Sequence, residues 1–138
     1  MAAPFAVRGI DHVVYRVRDL ERVLAFYAEV LGCPVDLRQE SLDLVHLRVG
    51  ASLVDLVRTD ADLAEAERGN VAHLCLRIEP WEPAQLSDHF AALGIPVTWA
   101  EANHGAEGRG PSLYLSDPEG NRLELKGPAA TSGSRKVD

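Results

Sequence analysis

Residues 12–18 read HVVYRVR and residues 73–79 read HLCLRIE, and the fold turns on reading these as two copies of one opening strand. Each is followed by a stretch of helical period, which ends in LGCPV at 31–35 and in LGIPV at 93–97, so the copies align with one inserted residue. Each copy then runs into a hairpin whose last strand carries an acid, Asp55 in SLVDLV and Glu124 in RLELK. A repeat related by a pseudo-twofold brings equivalent positions together. Two histidines and two carboxylates, far apart in the chain, thereby become candidates for one site.

Working outward, Ile10–Val17 is rich in β-formers and gives way at Asp19, a suitable N-cap, to a helix expected over Leu20–Leu31. Its inward face is read as Leu20, Val23, Leu24, Tyr27, Val30 and Leu31, with Phe26 also assigned to the core and Gly32 as the stop. Strands are expected at Pro34–Leu37, Leu42–Val49 and Ser52–Val57, the last two joined by Gly50-Ala51. The polar stretch 59–69 reads as a linker. The order then repeats: strand Val71–Ile78, helix Pro83–Leu93 with Pro83 in its first turn, stop at Gly94, and strands Val97–Ala100, Ser112–Leu115 and Arg122–Leu125. Asp117–Asn121, with Pro118 and Gly120, reads as a turn, and 127–138 has the composition of a flexible tail. The segment Glu101–Pro111 reads as a loop, either plainly exposed or a lid carrying His104 and Arg109.

A chain of 138 residues is one domain's worth, so the repeats are expected to share one core. Module one is read at about 8–58, the linker at about 59–69 and module two at about 70–128, with the tail from 129. Fourteen basic against twenty-one acidic side chains leave a net charge of −7, which disfavours nucleic acid as a partner. No uncharged apolar run approaches the ~20 residues of a membrane span, and the chain is read as a soluble cytoplasmic protein. Cys33 and Cys75 show no ligand spacing and are expected as free thiols.

Strand parity sorts the side chains. With Gly50-Ala51 as a two-residue turn, Val49 pairs with Ser52, Arg48 with Leu53, Leu47 with Val54 and His46 with Asp55. Val45, Leu47, Val49, Val54 and Leu56 then face a core, while His46, Arg48 and Asp55 face the other way, toward solvent or a cleft. Pairing Leu115 with Leu123 sets Tyr114 across from Glu124, with Arg122 two positions along the same face. His46, Arg48, Tyr114 and Arg122 are candidate substrate-binding residues, against ordinary strand-face or packing roles. Trp81 and Trp99 read as packing or interface residues.

The opening IDHVVYRVRDLERVLAFYAEVLG at 10–32, HLCLRI at 73–78 and the closing GPSLYLSDPEGNRLELKGP at 110–128 resemble the glyoxalase, bleomycin-resistance and extradiol-dioxygenase superfamily, the vicinal oxygen chelate proteins. The resemblance spans residues 8–128. It implies an α+β fold in which two tandem βαβββ modules form a cup-shaped mixed sheet with helices on the outside. It also implies a divalent metal, Ni, Zn, Mn or Fe, on His12, Asp55, His73 and Glu124. Asp55 is shorter by one methylene than the family's more usual Glu, which leaves it as fourth ligand or base; Asp55 and Glu124 are the implied catalytic residues. Two imidazoles and a carboxylate leave coordination positions open for a small substrate that chelates through neighbouring oxygens. The metal would act as a Lewis acid toward an enolate or oxyanion. The favoured expectation is glyoxalase-like isomerase, lyase or epimerase chemistry in a homodimer. Dioxygenase or epoxide-transferase chemistry, a metal-free ligand-sequestering protein and a regulatory module are the alternatives.

Overall fold

The structure, a computed structural model, describes residues 2–59, 69–116, 118 and 121–130. Its elements run β1 (Ala6–Val17), α1 (Leu20–Ala25), a π-helical turn (Phe26–Val30), β2 (Val35–Gln39), a 3₁₀ turn (Glu40–Leu42), β3 (Leu44–Val49) and β4 (Ser52–Arg58). The second series is β5 (Val71–Glu79), α2 (Pro83–Ala92), β6 (Thr98–Gly105), β7 (Gly108–Ser116) and β8 (Arg122–Lys126). This is the α+β class with two βαβββ modules expected from the repeat. Strand neighbours follow one order in both, β2-β3-β4-β1 and β6-β7-β8-β5. The chain packs as two units, residues 12–74 and residues 1–11 with 75–138, so β1 and β5 are each divided between them.

In the unit of residues 12–74, β1 and β4 run parallel, with His12 opposite Leu53 and Val14 opposite Asp55. The β3–β4 hairpin has the expected register, from Val49 against Ser52 to His46 against Asp55. Gly50 in its turn has φ 62°, a conformation that costs glycine least. Leu20, Val45, Leu47 and Leu56 form the buried core, with Tyr15, Val23, Leu24, Tyr27 and Val54 packed on it. Asp19 caps α1 by accepting from Arg22 N at 3.1 Å.

Three expectations fail here. The helix does not continue regularly to Leu31: it passes into a π turn at Phe26, where each N–H reaches one residue farther back. The extra residue rotates the side chains beyond it by about 100° around the axis. Tyr27 still packs on the core, whereas Phe26, Val30 and Leu31 are 51%, 65% and 57% exposed. Val49, at the hairpin end, is also exposed. The expected linker falls largely outside the described residues.

In the other unit, Ile78, Leu86, Phe90, Leu113 and Leu125 form the core, α2 opens on Pro83 and Gly94 follows it at φ 70°. Trp81 and Trp99 meet edge to face with ring centroids 6.0 Å apart. Both cysteines are free. The segment 101–111 is neither lid nor loop. It is a hairpin, with Asn103 opposite Gly110, His104 opposite Arg109 and Gly105 opposite Gly108. Its Glu, Ala, Asn and Gly residues are poor strand formers, and the hairpin is held from outside its own sequence. Asp11 Oδ1 accepts from Ala106 N at 2.9 Å, and Lys126 Nζ donates to Asn103 O and to Gly110 O, the latter at 3.2 Å. Residues 127–130 are also ordered along β7, with Gly127 N donating to Pro111 O at 2.9 Å. The rest of the expected tail, and most of the turn after Ser116, lie outside the described residues. No helix among the described residues is long and apolar enough to cross a membrane.

Candidate metal centre

Each unit carries a buried polar cluster on the strands that the repeat makes equivalent. In residues 12–74, His12 projects from β1 and is 3% exposed. His73, near the start of β5, lies edge to face with it at a centroid distance of 5.5 Å. From β4, Asp55 places Oδ2 3.8 Å from His12 Nε2. Across the hairpin, His46 Nδ1 and Asp55 Oδ1 are hydrogen-bonded at 2.8 Å, and Gln39 Nε2 meets His46 Nε2 at 2.7 Å. Burial demands such a chain, because an unpartnered polar group inside a protein costs free energy. Burial also takes His46 off the exposed strand face that was its alternative place. Arg48, by contrast, leaves this group and pairs with Asp36 at 3.0 Å.

In the other unit, Glu124 on β8 is 1% exposed. Ser112 Oγ donates to its Oε2 at 2.7 Å, and Asn103 Nδ2 lies 3.4 Å from the same oxygen and donates to Tyr114 Oη at 2.9 Å. Tyr114 pairs with Glu124 across the strands as the parity argument requires. Burial first, then the Glu124 charge, push the Tyr114 phenol up to about 12, so at neutral pH it keeps its proton. Arg122 stacks on this ring, its guanidinium carbon 4.7 Å from the centroid, in cation–π geometry.

Beside Glu124 lies a second set of charges that the sequence did not announce. Asp11 is wholly buried and pairs with Arg77 at 2.6 Å. Lys126 is 1% exposed; burial pulls its ammonium below the usual lysine value, against the opposing pull of Glu124 and Asp11. Ser112 and Lys126 were within reach of strand parity, since they pair across β7 and β8 two positions along from Tyr114 and Glu124. Asn103 was not, because its strand went unrecognised.

Imidazole and carboxylate donors of these kinds suit Zn, Fe, Ni or Mn. His12 and His73 in one unit and Glu124 in the other are of the right types, and the first and last are buried where a ligand is sheltered from water.

Comparison with known proteins agrees with this architecture. The mitochondrial methylmalonyl-CoA epimerase of Bos taurus is 28% identical over 130 residues, covering 85% of this chain and 73% of that protein. The metallothiol transferase FosB of Lysinibacillus sphaericus is 24% identical, covering 86% and 82%. Among solved structures, methylmalonyl-CoA epimerase from Mycobacterium tuberculosis matches with a TM-score of 0.67 at 20% identity, over 97% of both chains. A homoprotocatechuate 2,3-dioxygenase variant from B. fuscum matches with a TM-score of 0.72 at 19% identity, over 94% of this chain and 35% of that one. These structural likenesses speak to the fold. The profile of the Glyoxalase/Bleomycin resistance protein/Dioxygenase superfamily matches residues 9–125, and the chain belongs to that superfamily.

Proposed function

We propose that this chain is a divalent-metal-dependent enzyme acting on a small oxygen-chelating molecule, with isomerase, epimerase or lyase chemistry. In this reading His12, His73 and Glu124 are the metal ligands that the superfamily pattern implies, and Asp55 serves as fourth ligand or base. The observation that carries it is the His12–His73 pair, two imidazoles 5.5 Å apart between centroids, with the Asp55 carboxylate 3.8 Å from His12. The similarity to an epimerase over 85% of the chain favours proton transfer over oxygen chemistry.

When bound, the metal would supply Lewis acidity, stabilising negative charge on a substrate oxygen. The protein's own groups have separate tasks. Asp55 offers Oδ2, the oxygen not engaged by His46, either to the metal or to a substrate proton. Ser112 holds Oε2 of Glu124 and so fixes the direction of the carboxylate. Tyr114 keeps its hydroxyl proton at neutral pH and with Arg122 forms a substrate-facing pair; His46 and Arg48 are tied to Asp55 and Asp36 and act through them. We read the working form as a homodimer, supported by the exposed apolar Phe26, Val30 and Leu31, and the compartment as cytoplasmic.

The test is metal content per chain by elemental analysis, on untagged protein, for wild type and Glu124→Ala. Near-stoichiometric divalent metal that the variant loses supports the reading and justifies assays with α-ketoaldehydes, acyl-CoA epimers, epoxides and catechols. A wild type that takes up no Ni, Zn, Mn or Fe(II) sinks it and favours the ligand-sequestering alternative.

A further inference from the structure

The Gln39–His46–Asp55 chain assigns a role that the ligand set does not. A glutamine amide donates from nitrogen, so the 2.7 Å contact runs from Gln39 Nε2–H to His46 Nε2. An imidazole nitrogen that accepts carries no proton, which leaves the ring proton on Nδ1. That proton points at Asp55 Oδ1, 2.8 Å away. The three side chains come from β2, β3 and β4, adjacent strands of one unit, and His46 and Asp55 are both 2% exposed. The aspartate thus has one oxygen committed to His46 and turns the other, Oδ2, toward His12 Nε2 at 3.8 Å. That distance is too long for a hydrogen bond, so Asp55 is not there to set the His12 tautomer.

We propose that His46, backed by Gln39, is a positioning residue for Asp55: it fixes the carboxylate so that Oδ2 alone is presented toward His12. This deepens the metal-enzyme reading and rests on it. A short aspartate has few rotamers, but without a partner on Oδ1 its two oxygens interchange by rotation about the terminal bond. The His46 bond removes that freedom before any ligand arrives. With Asp55 taken as the fourth ligand, His46 is the partner that orients a ligand, and removing such a partner changes metal affinity by about 10–100-fold.

Two measurements separate the possibilities. Nitrogen-15 NMR of the metal-free wild type reads the His46 tautomer directly, and a proton on Nδ1 that shifts in Asp55→Asn is the expected result. A ring protonated on Nε2 alone overturns the assignment without touching the metal-site reading. Competition titration with Ni²⁺ then compares His46→Ala, His46→Asn and Asp55→Ala. His46→Ala is expected to weaken Ni²⁺ binding about 10–100-fold. His46→Asn, whose amide N–H stands near the lost Nδ1–H, should recover most of that, and His46→Ala in the Asp55→Ala background should lose nothing more. Unchanged affinity in His46→Ala, with His12→Ala binding none, overturns the positioning role alone. Wild type that binds no Ni²⁺ overturns the underlying reading as well.

Discussion

Ser112 Oγ donates to Glu124 Oε2 at 2.7 Å although the two are not directly opposed: Ser112 faces Lys126 and Tyr114 faces Glu124 across β7 and β8. The contact is diagonal, on one face of the antiparallel pair, at the spacing over which polar side chains still reach one another. It is a hydrogen bond to a buried carboxylate. Ser112→Ala should therefore lower stability by about 1.5–3 kcal/mol, as for hydrogen bonds to charged groups. Urea unfolding of the two proteins measures it, and equal midpoints would show that the bond contributes nothing.

Asp11 joins two partners that are distant in the chain, Arg77 at 2.6 Å and the backbone of Ala106 at 2.9 Å. Arg77 keeps its contact with Glu107 at 3.1 Å, so what Asp11→Ala removes is hydrogen bonding to a buried charged group, about 1.5–3 kcal/mol. Asp11→Ala is expected to show a loss of that size, with faster hydrogen exchange at Ala106 N than at strand amides elsewhere. Unaltered protection at Ala106 would mean the hairpin closes without this clamp.

At Gly105 a methyl group has nowhere to go. A Cβ there would collide with the Lys126 side chain and come within 2.7 Å of Asp11 Oδ1. Lys126 is pinned by two carbonyls and cannot swing aside. Gly105→Ala should destabilise by about 1–3 kcal/mol, the usual range for overpacking. Thermal unfolding is the readout, and a stabilised variant would contradict the packing.

Tyr114 gives stability a pH dependence of known sign. Its phenol lies above the ordinary 10.0, pushed up to about 12 by burial and then by Glu124. In that interval the unfolded chain surrenders the proton while the folded one keeps it. The contribution is complete below the unfolded value and is lost as pH rises through the interval. Tyr114→Phe should flatten this part of the stability profile. Carbon-13 NMR of the phenol carbon should show Tyr114 still protonated where an exposed tyrosine has ionised; ionisation at the ordinary value would refute the assignment.

Much of this protein was legible in its residues. The repeat of HVVYRVR and HLCLRIE located His12 and His73, and parity set His46 against Asp55 and Tyr114 against Glu124, because strand period and turn length are local properties. The failures were equally physical. The change from α to π turn at Phe26 leaves no mark on apolar spacing up to Tyr27. The 98–116 hairpin lacks strand-forming residues around its turn and depends on Asp11, 95 positions away from Ala106 in the chain.

By itself the sequence determined the α+β class, the two modules and the residue types at their equivalent strands, since periodicity, turn chemistry and repetition need no distant contact. Only the tertiary structure decided that His46 is buried against Asp55 rather than exposed, that Arg48 turns to Asp36, and that Asn103 and Ser112 hold Glu124. Those outcomes depend on which strands become neighbours and on the need to satisfy every buried polar atom. Such needs arise only once the chain has closed on itself.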